Sequence, residues 1–254
     1  MNNPDTRVLQ KTYEFAKRHY SGRTTLLGQP LLDHCMSVAR QSEVIAQKLY
    51  RDVRADFLPD KTRESINSIV QIALLHDVLN VSACAFEHIA ETATVHVAAM
   101  VADISKDFRL VETKRDMEFR GRLSQSPVGA QIVIVADVIC TAKDLLTLLQ
   151  KNGLTVAAKV KKMLAQFDAD LLAIHAANRY YVLRMYVHAA RNLLTSVSQT
   201  IKELKAKAKV DKIVQQSTKR LRERVENEAK DKKDKPRNTV KKKEQSCAKK
   251  HRIE

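Results

Sequence analysis

The sequence predicts an all-α protein, and three observations support that fold class. Gly and Pro, the residues that most often interrupt helices, number only five each in 254 residues. Hydrophobic residues make up 44% of the chain and aromatic residues 5%, a balance that favours helices rich in Ala, Leu and Val. No stretch alternates apolar and polar residues between turn signals in the manner of a strand.

Apolar residues recur at helical spacing through the first 152 residues, and Asn152-Gly153 ends the pattern. Residues 22–30 are predicted to form a loop, and residues 107–129 a mixture of loop and short helix. The predicted helices cover 5–19, 31–50, 60–79, 86–103 and 130–149.

The pattern changes after Leu154, because no Gly or Pro occurs between Gly153 and Pro236. Apolar residues spaced three and four apart predict two long helices, packed on the domain or on a partner. The sequence therefore predicts a domain over residues 6–152, a helical extension over 154–228 and a basic disordered tail over 229–254. The long helices also offer a surface for homo-oligomers.

The positive charge is concentrated at the C-terminal end. Residues 202–254 carry +11 of the formal net charge of +16. Three interpretations are open: contacts with the phosphates of RNA or DNA, contacts with an acidic membrane or protein surface, or a solubilising extension. Few aromatic residues lie among these Lys and Arg residues, so base stacking has little support.

The composition also indicates where the protein acts. The N-terminus is polar, and no stretch of about 18 apolar residues occurs, so we expect no secretory signal and no membrane span. The four cysteines form no C-x-x-C pair, which gives no indication of a zinc knuckle or a disulfide framework. We therefore expect a cytoplasmic protein.

Four side chains of metal-ligand type occur in otherwise apolar runs: His34, the adjacent His76 and Asp77, and Asp137. Buried charges are costly unless they are paired, protonated or bound to metal. Two imidazoles and two carboxylates suit a divalent ion such as Mn, Fe, Co or Zn. The alternative is a set of amphipathic helices with satisfied histidines and a capping Asp.

These motifs resemble those of the HD phosphohydrolase superfamily, whose ligands follow the order His, His-Asp, Asp. Over roughly residues 8–150 they are most similar to the RelA/SpoT-type hydrolase domain and to small stand-alone alarmone hydrolases. The stretches that carry the resemblance are Gly28–His34 with Ser37-Val38-Ala39, Ala73–Val78, Val101–Lys106, and Ser126–Gln131 leading to Ala136-Asp137.

The resemblance implies a helical HD-type core and a metal-dependent phosphohydrolase. His34, His76, Asp77 and Asp137 would hold the metal, with Mn the first choice, and Asp77 would also be catalytic. The implied substrate is a nucleotide such as (p)ppGpp, hydrolysed in the manner of a ppGpp 3'-pyrophosphohydrolase. A divalent ion suits this chemistry because it activates water and polarises a phosphoryl oxygen.

Lys106 and Lys143 are the candidate substrate-binding residues, since each lies close in sequence to one of the motifs and can contact phosphate. Phosphoryl transfer depends mainly on positioning and on neutralisation of charge, which is what an ammonium group supplies. The alternative for both is a solvated helix face.

The chain departs from alarmone hydrolases around the metal ligands. Those enzymes carry Glu-Asp two residues after the His-Asp pair, where this chain has Asn80 and Val81. Thr25 stands where their guanine-contacting Arg is found. Two hypotheses follow: a hydrolase with another substrate, or a catalytically degenerate HD domain that serves as a binding or scaffold module with a polyanion-binding tail. Replacement acids would come from Glu87, Asp103 or Asp107, which are otherwise solvated carboxylates.

Overall fold

The computed structural model describes residues 4–52, 65–178 and 180–234, and these ranges contain helices and no strand. The predicted all-α class is confirmed. An isolated antiparallel bridge between Thr24 and Pro30 closes the loop before the second helix. The helices are α1 (Pro4–Tyr20), α2 (Leu31–Asp52), α3 (Ile66–Leu75), α4 (Val78–Val81), α5 (Phe86–Thr92), α6 (Val95–Asp103), α7 (Glu112–Gln125), α8 (Val128–Asn152), α9 (Ala157–Ala177) and α10 (Tyr181–Asp234).

The centre of the core is α3, which packs against α1, α2, α6 and α8. Its residues Ile69, Ile72 and Leu75 are completely buried, because apolar residues three and four apart share one helix face. Helix α8 buries every residue from Val128 to Ala142 except Asp137. Full burial of one such aliphatic side chain contributes about 1.5–3 kcal/mol. These helices therefore form a rigid frame for the polar side chains that they carry.

The predicted helix over residues 60–79 is not continuous, and its first residues lie outside the described ranges. Helix α3 ends at Leu75, and α4 begins two residues later. The Nδ1–H of His76 donates a hydrogen bond to the carbonyl oxygen of Ala73 at 2.7 Å. In a continuing helix that carbonyl would accept from the amide of Asp77. The imidazole therefore competes with the helical bond, and the helix breaks at the His-Asp pair.

Two other predicted segments also differ from the structure. The helix predicted over 86–103 is divided into α5 and α6, because Thr94 adopts an extended conformation and its side chain accepts a hydrogen bond from the Val97 amide. Such a side-chain bond stabilises the start of a new helix. Residues 107–129, predicted as a mixture of loop and short helix, include the fourteen-residue helix α7.

The C-terminal helices belong to two compact units. Residues up to Lys202 form the first unit, in which α9 packs on α7. The guanidinium Nε of Arg120 on α7 donates to the buried carboxylate of Asp170 on α9 at 2.9 Å. The second unit begins at Glu203, and its described part is helical as far as Asp234. Five of its apolar side chains are exposed: Val210, Ile213, Val214, Leu221 and Val225.

The predicted division of the chain at residues 152–154 falls inside the first unit and stays a prediction. Residues 229–234 of the predicted tail are helical, and the remainder of that tail lies outside the described ranges. Within the described residues, no helix combines the length and the apolar character needed to cross a membrane.

Candidate metal centre and adjoining cavity

The four predicted metal ligands converge from three parts of the fold. His34 lies on α2, His76 and Asp77 form the break between α3 and α4, and Asp137 lies on α8. Ligand atoms of His34, His76 and Asp77 all lie within 4.8 Å of one another. The Nε2 atom of His34 lies 3.0 Å from Oδ1 of Asp137, so the fourth side chain adjoins the same cluster.

The orientation of His76 suits a metal ligand. Its Nδ1–H is bound to the Ala73 carbonyl, so Nε2 is the atom that offers a lone pair once the ring loses its second proton, and it lies 3.6 Å from Oδ2 of Asp77. A backbone carbonyl that fixes one ring nitrogen is a common support for a histidine that binds metal through the other. Two imidazole nitrogens and two carboxylates are donors suited to a first-row divalent ion. The residues present therefore fit the metal that the resemblance implies.

The ionisable side chains of the cluster shift one another's pKa. Burial would raise the pKa of the Asp137 carboxyl, but a hydrogen bond with His34 and the charges of His34 and His76 hold that pKa below its usual value. The Thr141 hydroxyl also donates to Oδ1 of Asp137 at 3.1 Å. Burial lowers the pKa of His76, but its neighbours Cys35 and Asp77 outweigh burial and hold that pKa well above the ordinary value.

A cavity of about 480 Å³ opens onto this cluster, a volume within the range of small-molecule sites. The loop over residues 24–27 forms one side, and Asn80 and Val81 of α4 lie in its wall. Helix α9 closes another part with Met163 and Phe167. The extension therefore contributes directly to the cavity beside the metal ligands.

The two predicted substrate-binding lysines lie in different places. Lys106 lines the cavity, where its Nζ lies 3.2 Å from Oδ1 of Asp116 and 3.7 Å from Oδ2 of Asp170. Lys143 is exposed and lines a separate surface hollow with Arg40. Phosphate contact by either lysine stays a prediction, and Lys143 is not part of the wall of the larger cavity.

Two carboxylates in the cavity wall were missed from the sequence: Asp144 and Asp170. Oδ2 of Asp144 lies 4.0 Å from Nδ1 of His34, and burial raises the pKa of the Asp144 carboxyl. Asp144 follows Asp137 by seven residues, so the helical repeat was a usable signal that both face the same side. Asp170 on α9 had no comparable signal, because long-range packing brings it there.

The replacement acids considered from the sequence do not line this cavity. Glu87, Asp103 and Asp107 are absent from its wall as the described residues define it. The carboxylate of Asp107 instead accepts two hydrogen bonds from the Arg109 side chain, each at 2.8 Å, and these lower its pKa to about 2. Asp144 is a better-placed carboxylate than any of the three.

Comparison with known proteins supports the fold. No protein-family profile and no curated protein match this chain. Among solved structures, it is similar to a metazoan ortholog of SpoT that hydrolyses ppGpp and plays a role in starvation responses. The two share 17% sequence identity with a TM-score of 0.55, over 75% of this chain and 96% of that structure. The chain thus shares the helical fold of this SpoT ortholog, which confirms the resemblance at the level of the fold.

Proposed function

We propose that this protein is a metal-dependent phosphohydrolase that acts on a nucleotide or another small phosphorylated molecule. The observation that carries the proposal is the convergence of His34, His76, Asp77 and Asp137 beside a cavity of small-molecule size. Mn²⁺ is the first ion to test, and a cytoplasmic location accompanies the proposal.

The side chains of the cluster have distinct roles in this proposal. A bound divalent ion would supply Lewis-acid polarisation of a phosphoryl oxygen and activation of water. His34 and His76 would provide nitrogen donors to that ion, while Asp77 and Asp137 would provide negative charge. Asp77 is also the proposed catalytic residue, since its side chain is 30% exposed and lies in the cavity wall.

Asp144 is the proposed acceptor of a proton from the attacking water. It lies in the same wall, close to His34, and a carboxylate can accept a proton. The side chains of Asn80 and Val81 cannot, because an amide and an alkyl group have no suitable basic atom. General acid–base help of this kind is typically worth about 10²–10⁴-fold in rate.

The reaction of the structural neighbour makes ppGpp a substrate to test, with 3'-pyrophosphohydrolysis as the specific reaction. Asn80 and Val81 stand where alarmone hydrolases carry their acidic pair, and both lie at the cavity. We therefore propose that any ppGpp hydrolysis by this chain is weak compared with an enzyme that retains that pair.

The decisive experiment measures metal content and phosphate release together. The purified protein, loaded with Mn²⁺, would be assayed against a nucleotide panel that includes ppGpp, beside the variants Asp77→Ala and Asp33→Ala. Asp33 is an exposed acid one residue before His34, which makes it a matched control. We expect Asp77→Ala to lose both metal and hydrolysis while Asp33→Ala keeps both. Equal metal content in the two variants would contradict the proposal.

A catalytically degenerate binding or scaffold module is the second candidate. It is favoured by the loss of the acidic pair at Asn80 and Val81 and by the ion pairs that occupy Lys106. In that case the long helices would engage a partner, and the basic segment would bind nucleic acid or another polyanion. Retention of metal without phosphate release from any compound in the panel would favour this candidate.

A further inference from the structure

The cavity beside the metal cluster is rich in negative charge. Asp77, Asp137, Asp144 and Asp170 all line it, and Lys106 is the one Lys or Arg among the described residues of its wall. Like charges in a cleft with low-dielectric walls reinforce one another. The cavity therefore favours cations and disfavours ligands with many negative charges.

The charge of Lys106 is already neutralised by the protein. Its ammonium contacts Asp116 and Asp170 and lies 4.8 Å from the ring centroid of Phe119. Both carboxylates are buried, and removing the cationic partner of a buried carboxylate strongly destabilises the folded protein. Lys106 is consequently held in place and is not free to neutralise a phosphate.

The remainder of the wall is largely apolar and aromatic. Met163 and Phe167 come from α9 and Val138 from α8, while Phe119 on α7 is 2% exposed and forms the base of the wall without offering its face to a ligand. Phe108, from the segment before α7, lies at the same cavity. Aromatic walls of this kind hold flat organic groups by burying their faces. The wall suits the organic part of a ligand better than a chain of phosphates.

We propose that the cavity takes a phosphomonoester with an aromatic or apolar organic group and rejects molecules with two pyrophosphate groups. The inference rests on the proposed function, because the phosphate must lie at the metal centre. A bound divalent ion, held by His34, His76, Asp77 and Asp137, would offset part of the carboxylate charge and so favour a phosphate group there. The two pyrophosphates of ppGpp would bring further negative charge against Asp144, which has no Lys or Arg partner in the described wall.

The reaction is hydrolysis of the ester. The oxygen of water bonds to phosphorus while the P–O bond to the organic group breaks. One proton of the water passes to the leaving oxygen. The products are inorganic phosphate and an alcohol or phenol, and no oxidant or second substrate is required.

The first test compares three substrates with the full-length, Mn²⁺-loaded protein: 1-naphthyl phosphate, glycerol 2-phosphate and ppGpp. Repulsion between like charges in a desolvated site amounts to several kcal/mol, so we expect kcat/KM for 1-naphthyl phosphate to exceed that for ppGpp by about 100-fold or more. Glycerol 2-phosphate should be intermediate. Equal or better use of ppGpp would overturn this inference while leaving the phosphohydrolase proposal intact.

The second test measures binding without catalysis. Isothermal titration calorimetry would measure the Kd of benzylphosphonate and of methylphosphonate for the wild type and for the variants Phe167→Ala and Phe86→Ala. Phe86 is half-buried on α5 and outside the cavity wall, so it controls for the loss of a phenyl ring. We expect Phe167→Ala to weaken benzylphosphonate binding about tenfold with little effect on methylphosphonate.

Two outcomes separate the inference from the proposed function. Benzylphosphonate binding that depends on Phe167, with no hydrolysis of any substrate, would support the ligand class and remove the enzymatic proposal. Equal binding of the two phosphonates, with a folded Phe167→Ala variant, would overturn the ligand class. Thermal melting of Phe167→Ala, Met163→Ala and Phe86→Ala checks folding, and Met163→Ala provides a second change in the same wall.

Discussion

His76 and Ala73 are joined by a hydrogen bond of 2.7 Å from Nδ1–H to the carbonyl oxygen. This bond ends α3 and leaves the Nε2 atom of His76 facing Asp77. A local competition for one backbone carbonyl thus positions two of the four proposed metal ligands. The same break places Asn80 and Val81 at the cavity wall.

The first prediction concerns stabilisation by metal. A ligand at 100 times its Kd stabilises the folded state by about 2.7 kcal/mol, so Mn²⁺ at that level should raise the Tm of the wild type by roughly 5–10 °C. His76→Ala should abolish this rise because it removes one donor. His96→Ala is the matched control, since His96 is exposed on α6. An equal rise in both variants would exclude His76 as a ligand.

The second prediction concerns the missing acidic pair. Asn80→Glu combined with Val81→Asp should increase kcat for ppGpp hydrolysis, by up to about 10²–10⁴-fold if proton transfer limits the rate, while the added negative charge should raise KM for this anionic substrate. The physical reason is that both positions already lie in the cavity wall. Initial rates of pyrophosphate release provide the measurement. The same double change in an Asp77→Ala background should give no increase. If the double change in the otherwise wild-type protein left the rate unchanged, residues 80 and 81 would not be positioned to act on the substrate.

The sequence located His34, the His76-Asp77 pair and Asp137 because polar ligand-type residues stand out in apolar runs. It could not reveal the break at His76, because the residues after it continue the apolar pattern and the competing hydrogen bond depends on the ring orientation. The pairing of Lys106 with Asp170 also escaped prediction, since these residues are distant in sequence and meet only when α9 packs on α7. The apolar wall from α9 was missed for the same reason.

The third prediction concerns the stability of the α7–α9 contact. Lys106→Met should lower the free energy of unfolding by about 1–3 kcal/mol, because Asp116 and Asp170 lose a cation while Asp170 keeps Arg120. Lys143→Met should change it by less than about 0.5 kcal/mol, since Lys143 is exposed. Urea denaturation of the metal-free protein compares the two. Equal destabilisation would mean that the ion pairs of Lys106 contribute little.

The fourth prediction is a pH dependence. Burial raises the pKa of the Cys140 thiol to about 12, so its thiolate fraction at pH 8 is roughly 10³-fold below that of an ordinary cysteine. Alkylation of Cys140 in the native protein should therefore rise about tenfold per pH unit up to pH 11. In urea the rate should level off above about pH 9. Peptide mapping by mass spectrometry measures the alkylation rate of Cys140 in the native and in the urea-unfolded protein. If the rate in the native protein levelled off near pH 9, the thiol pKa would not be raised by burial.

The fifth prediction concerns the basic C-terminal segment. Residues 202–254 carry +11, so binding to duplex nucleic acid should weaken steeply with salt, with a log–log slope of about −0.9 per neutralised phosphate. Truncation after Lys230 should lower this affinity without changing sequence preference, because contacts of Lys and Arg side chains with phosphates carry no sequence information. Metal binding and hydrolysis should persist, since the proposed ligands all lie before residue 138. Two results for the truncated protein would contradict this prediction. One is unchanged retention on heparin, and the other is a sharp fall in its Tm, which would indicate a structural role for the segment instead of polyanion binding.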